Sequence, residues 1–208
     1  MKTAAIGIRV HSGWGALVAI SGKTGAEEVI ERRRVEIIET EVPELKVAGS
    51  KQPYHYAKEM ALEKAEAYIA KCAAASAKLA RITLSEIVEQ LAERGYRLTG
   101  AAILLGSGRT LPGMEKILGS HPMIHTAEGE FFRQAFRNAL EALDIPVTGI
   151  IEKELAECAR KALGKIARQT QERVESAGRV LGAPWTEDQK KAMLAATIVL
   201  ANAGRVRK

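Results

Sequence analysis

Gly106-Ser107-Gly108-Arg109 is a short string with room for backbone N–H groups to face an anion and a guanidinium to match it. It is not a P-loop, because it lacks that loop's lysine, and its plain alternative is a glycine turn leading to a helix started by Pro112. Further on, the stretch from Ser120 to Glu130 carries His121, His125, Glu128 and Glu130. Two histidines four residues apart would suit a metal on one helix face, but Pro122 between them argues against a continuous helix, so zinc is not expected. Thr126 is instead read as a helix cap with Glu128 and Glu130 in the first turn. His125 then stands beside them as an acid/base or anion-binding group, although carboxylates there also complement the helix dipole. Tyr54, His55 and Tyr56 could stack on a base, or could cover the edge of the core at a helix entrance. No Ser-His-Asp order and no nucleophile elbow is present.

Positive charge is spread more widely. Lys161, Lys165 and Arg168 share one side of a predicted helix, and the basic tail 204–208 adds Arg205, Arg207 and Lys208, a possible nucleic-acid surface that Glu154, Glu157 and Glu172 dilute. Arg32-Arg33-Arg34 reads either as an anion patch or as an edge strand blunted by charge against pairing with another sheet. Cys72 and Cys158 lie in Ala-rich helical patterns without a Cys or His at ligand spacing, so reduced thiols are expected.

A chain of 208 residues, 47% hydrophobic and 27% charged, suits one soluble α/β domain spanning 1–208. The net charge of +6 makes polyanions plausible partners. The apolar run at the N-terminus is short and broken by Arg9 and His11, which argues against a signal peptide, and no segment approaches the about twenty apolar residues of a membrane span. A cytoplasmic location is the expectation.

The elements that must position these residues follow from periodicity and punctuation. Ala4 to Val10, Trp14 to Ser21 and about Glu28 to Thr40 read as three antiparallel strands separated by Ser12-Gly13 and Gly22-Lys23-Thr24-Gly25. A polar connection, 41–52, precedes a long helical crossover from Tyr54 to Ala80 and from Leu84 to Arg94. The strand Ala101 to Leu105 follows, then a short helix after Pro112, a helix from about Ala127 to Leu143, and a fifth strand from Ile145 to Ile151. A helix from about Lys153 to Ser176 and a last one headed by the capping-box pattern Thr186-Glu187-Asp188-Gln189 close the chain. The fourth and fifth strands should run parallel to the first, giving a mixed five-stranded sheet.

That order resembles the ribonuclease H-like fold. Ile6-Gly7-Ile8-Arg9-Val10-His11-Ser12-Gly13 with Trp14-Gly15 is similar to the first hairpin of Holliday-junction resolvases, and TEDQKKAMLAATIVLA is similar to their last helix. In that superfamily the active enzymes place an Asp on the first strand, with further carboxylates, to hold two divalent metals. The resemblance puts Arg9 at the first-strand position, no carboxylate at the end of the fourth strand, and Asp188, with Glu187 beside it, at the last-helix position. It therefore implies a noncatalytic module that binds nucleic acid or a phosphorylated ligand through Arg9, His11, Ser107, Gly108 and Arg109, with Asp188 as the acidic partner of Arg9 and no cofactor. Magnesium or manganese would enter only if the protein were a nuclease after all. Two other readings stand beside it: an enzyme with a site built from His11, Arg109, His125 and Glu128, and a structural protein that self-associates through an apolar face of the long helix.

Overall fold

Strands buried on both faces need apolar residues at nearly every position, and the first strand, TAAIGIRV, supplies them until Arg9. The computed structural model describes residues 1–38, 40–108 and 110–205, the side chain of Arg205 excepted. β1 (Lys2–His11), β2 (Trp14–Lys23) and β3 (Ala26–Glu36) form an antiparallel meander. β4 (Tyr96–Leu105) runs parallel to β1, and β5 (Val147–Ile151) runs parallel to β4. The sheet order is β3-β2-β1-β4-β5, the mixed five-stranded arrangement implied by the sequence.

Alternation along each strand divides the core in two. Ile6, Ile8, Leu17, Val35, Ala101 and Ile103 face α2 (Leu62–Glu93) and α4 (His121–Glu141), which is reached through α3 (Met114–Leu118). Ala5, Val18, Ile20, Ala102 and Leu104 face the other way, towards α5 (Leu155–Leu163) and the terminal helix. That helix, α8 (Glu187–Arg205), follows α6 (Ala167–Ser176) and the single turn α7 (Gly178–Leu181). It lies close against β1 because small residues meet there. A Cβ on Gly7 would stand 2.8 Å from the carbonyl carbon of Ala192 and 2.9 Å from the amide nitrogen of Ala196, so only glycine permits the approach.

Several boundaries differ from the sequence expectation, each for a local reason. Pro53 does start a helix, but only the short α1 (Pro53–Ala57); α2 begins after a break and then runs unbroken, because nothing in Arg81-Ile82-Thr83 is a strong helix breaker. Its 32 residues span about 48 Å at 1.5 Å each. The third strand ends at Glu36 rather than near Thr40. The predicted helix after β5 is divided by a 3-10 turn at Gly164–Ile166, where Gly164 takes a φ of 57°.

The largest correction concerns α4. It starts at His121, with Pro122 in the first turn, where the missing N–H leaves no intrahelical bond unmade. Thr126 is therefore not a cap: it lies inside the helix and donates its hydroxyl to the Pro122 carbonyl at 3.0 Å. Glu128 and Glu130 fall beyond the first turn, and Glu128 is buried.

The edge-strand reading of Arg32-Arg33-Arg34 fits the position of β3 at the end of the sheet. Arg32 donates to the carbonyls of Leu181, Gly182 and Pro184, and Arg33 to Gln90 Oε1. Arg34 pairs with Glu36 and lies over the Trp14 ring at 3.8 Å. Cys72 is buried and Cys158 half-buried, both as free thiols. No helix among the described residues is long and apolar enough to cross a membrane.

Candidate functional site

The parallel strands β1, β4 and β5 end at the same edge of the sheet, where open α/β sheets commonly bind ligands. Arg9 and His11 emerge there from β1, on the side that faces α8. Glu152 enters directly after β5, and Asp188 and Lys191 come from the first turns of α8. The helix start is fixed by its capping box: the Thr186 N–H donates to Gln189 Oε1 at 2.9 Å, and the Asp188 N–H to Thr186 Oγ1 at 3.3 Å.

These five side chains form one network. Arg9 donates from Nε and Nη2 to the two oxygens of Glu152, at 3.1 and 2.9 Å, and from Nη1 to Asp188. Lys191 adds a 2.8 Å bond to Glu152, and His11 Nε2 lies 2.9 Å from Asp188 Oδ1. His11 also stacks on Trp14, with centroids 4.3 Å apart. The hydrogen bonds that Arg9 donates to Glu152 hold its guanidinium more firmly protonated than usual, with Asp188 adding to them against the effect of burial. Burial alone would raise the Glu152 carboxyl, but bonds and charge from Arg9 and Lys191 outweigh it and bring it down to about 2. Asp188 is lowered in the same way, burial being overcome by Arg9 and His11.

The pairing of Arg9 with Asp188 matches expectation, but Glu152 and Lys191 were missed. The available signal for Glu152 was its position as the first charged residue after the apolar fifth strand, which puts a carboxylate at the same sheet edge. The donor set does not suit two divalent metals. The guanidinium already occupies the space between the carboxylates, cannot itself coordinate, and adds its charge where the cations would sit.

The other predicted residues lie elsewhere. Gly106, Ser107 and Gly108 share a cleft of about 170 Å³ with His125, Gly129 and Arg133 on the α4 side of the sheet. Arg133 is held in that cleft by a 3.1 Å bond to the Leu104 carbonyl. Arg109 lies outside the described residues. His11, engaged with Asp188 and Trp14 on the α8 side, does not line the cleft that holds His125, so of the expected set His11, Arg109, His125 and Glu128 the described members do not share that cleft. Glu128 instead accepts bonds from the His55 backbone N–H and lies 2.9 Å from His55 Nδ1, while His125 is exposed and stands against His121.

Lys161, Lys165 and Arg168 do not share one helix: they fall on α5, the following 3-10 turn and α6. All three are exposed, Lys161 near Glu157 and Arg168 bonded to Glu172. Of the basic tail, Arg207 and Lys208 lie outside the described residues. A larger cavity, about 700 Å³, opens at the opposite edge of the sheet between Thr3, Lys23, Leu163 and Leu200, where Lys23 is the one titratable group in its lining among the described residues.

The fold that carries this network is ribonuclease H-like. It matches the structure of Thermus thermophilus RuvC with a TM-score of 0.51 and 12% identity over 98% of this chain and 96% of that one. A second match is T. thermophilus RuvC in complex with a Holliday junction substrate, with a TM-score of 0.50, 13% identity and the same coverage. No protein-family model and no curated protein matches the sequence.

Proposed function

We propose that the protein is a noncatalytic ribonuclease H-like module that binds nucleic acid. The observation that carries the noncatalytic part is the Arg9 guanidinium, bonded to Glu152 and Asp188 at the first-strand position where the resemblance to the active enzymes would require a metal-binding carboxylate. Nucleic acid as the ligand is supported by the net charge of +6 and by the ribonuclease H-like fold, which one structural neighbour uses on a Holliday junction. Arg34 and the exposed Lys161, Lys165 and Arg168 are the cations offered to phosphates, with His11 and the Gly106–Gly108 loop as further phosphate contacts. Binding of this kind is dominated by counterion release and weakens steeply with salt.

The test is fluorescence anisotropy with single-stranded, duplex and four-way junction DNA across a salt series, followed by incubation with magnesium or manganese. Salt-dependent binding to at least one of these substrates, with no cutting, is the expected result. Cutting that depends on the metal would overturn the noncatalytic reading, and binding no stronger than that of an unrelated protein would remove nucleic acid as the partner.

A further inference from the structure

We propose that His55, His121 and His125 form a binding site for one zinc-class divalent transition metal, oriented by Glu128. The site lies on the α4 side of the sheet, away from the Arg9 network, and owes nothing to the proposed nucleic-acid function. One ligand atom from each of the three imidazoles falls within 4.8 Å of the others. His121 and His125 stand one helical turn apart on α4, and their Nε2 atoms approach to 3.1 Å. Tetrahedral zinc with bonds of 2.0–2.1 Å separates neighbouring nitrogens by about 3.3 Å, so this pair already has the spacing of one edge of that polyhedron. The His55 ring approaches both, with centroids 5.2 Å from His121 and 4.8 Å from His125.

Glu128 is the second, independent observation. Its side chain is 5% exposed, and its hydrogen-bonding partners among the described residues are the backbone N–H and the ring Nδ1 of His55. A carboxylate that deep is costly unless positive charge stands near it. Its bond to Nδ1 fixes the His55 ring with Nε2 as the remaining donor, the carboxylate–histidine–metal arrangement in which an outer carboxylate orients the ligand and raises its basicity. The same oxygen accepts the His55 backbone N–H near the start of α1, so ring and helix end are set by one group. Tyr54 shares this environment: burial raises its hydroxyl pKa, and the Glu128 charge raises it further.

The ligand atoms decide the class of ion. Three imidazole nitrogens with no oxygen among them suit zinc, nickel, cobalt or copper and discriminate against magnesium and calcium. Three protein ligands also leave a fourth position open, the donor count of an accessible site. His125 additionally lines the cleft that holds Gly106, Gly108 and Arg133, which gives the ion access to solvent.

Untagged full-length protein, stripped with chelator, should be titrated with cobalt chloride while its visible absorption is followed, and the cobalt then displaced with zinc chloride. One ion per chain, with the strong visible bands of four-coordinate cobalt, is expected. His121→Ala and His125→Ala, both at exposed positions, should each weaken zinc binding at least about 100-fold, and Glu128→Gln should weaken it by about 10- to 100-fold by loosening His55. Circular dichroism establishes that each variant is folded. No saturation at one equivalent, or a folded His55→Gln with unaltered affinity, would overturn the site, the latter leaving only a surface histidine pair. If His55→Gln does not fold, Glu128→Gln decides in its place, unaltered affinity again counting against the proposal.

Discussion

The two charged regions at this end of the molecule use opposite arrangements. On the α8 side, Arg9, Lys191, Glu152 and Asp188 are two cations and two anions that answer one another within bonding distance. On the α4 side, one buried carboxylate holds His55, and one ligand atom from each of His55, His121 and His125 lies within 4.8 Å of the others. The first arrangement is closed to an incoming cation because it already contains one. The second is open to a cation because its donors can be neutral. Charge satisfied internally serves stability, whereas converging lone pairs serve binding.

Substitutions should separate the two. The largest effect belongs to Gly7→Ala, which drives a methyl into the α8 backbone and should lower unfolding stability by about 3 kcal/mol, the upper end of the range for overpacking. Gly113→Ala, where a Cβ meets nothing within 4 Å, is the control, and urea denaturation measures both.

Arg9→Ala comes next. Its partners are partly exposed, so the loss should fall between the values for surface and buried pairs, about 2 kcal/mol at pH 7. Because the Glu152 pKa is depressed from 4.5 to about 2, its contribution is complete above the unfolded value and disappears as the pH falls through the folded one. The stability difference between wild type and Arg9→Ala should therefore narrow between pH 4.5 and pH 2, as followed by urea titrations at each pH.

On the histidine side the same measurement should show little. In chelator, His121→Ala should change stability by no more than about 0.5 kcal/mol, since the ring is exposed. With zinc added, wild type should gain melting temperature through mass action and the variant should not. A large loss for His121→Ala in chelator would mean that the cluster, like the Arg9 network, is structural. The smallest effect is expected of Lys165→Ala, which should leave stability unaltered and flatten the salt dependence of DNA binding by about 0.9 in the logarithmic slope if Lys165 meets a phosphate.

Strand alternation made much of the first region legible. It put Arg9 and His11 on the face shared with Gly7, and the Thr186 to Gln189 pattern marked where α8 must start and hence where Asp188 would stand. Glu152 was harder to see, because its role depends on β5 lying beside β4, a pairing that no local pattern marks. The second region was misread at Pro122. A proline between two histidines breaks a helix that is already under way, but it starts one in the first turn, and only packing shows which case applies. His55 was read as part of an aromatic entrance because the helix it must meet lies far along the chain; its partner Glu128 is 73 residues away. Periodicity reports which face of an element is buried, and it is silent on which polar residues from separate elements converge.

The four carbonyl bonds of Arg32, to Leu181, Gly182, Ala183 and Pro184, have a consequence for how the sheet meets the outside world. The edge strand β3 reaches across to the segment 181–184, the piece of chain that delivers α8 to its cap. One side chain thus acts as a clasp between the first meander and the last helix, joining parts of the chain 149 residues apart. With the clasp shut, that segment is held against the sheet; an Arg32→Ala chain should be nicked first there by a protease, long before the β-strands themselves are cut.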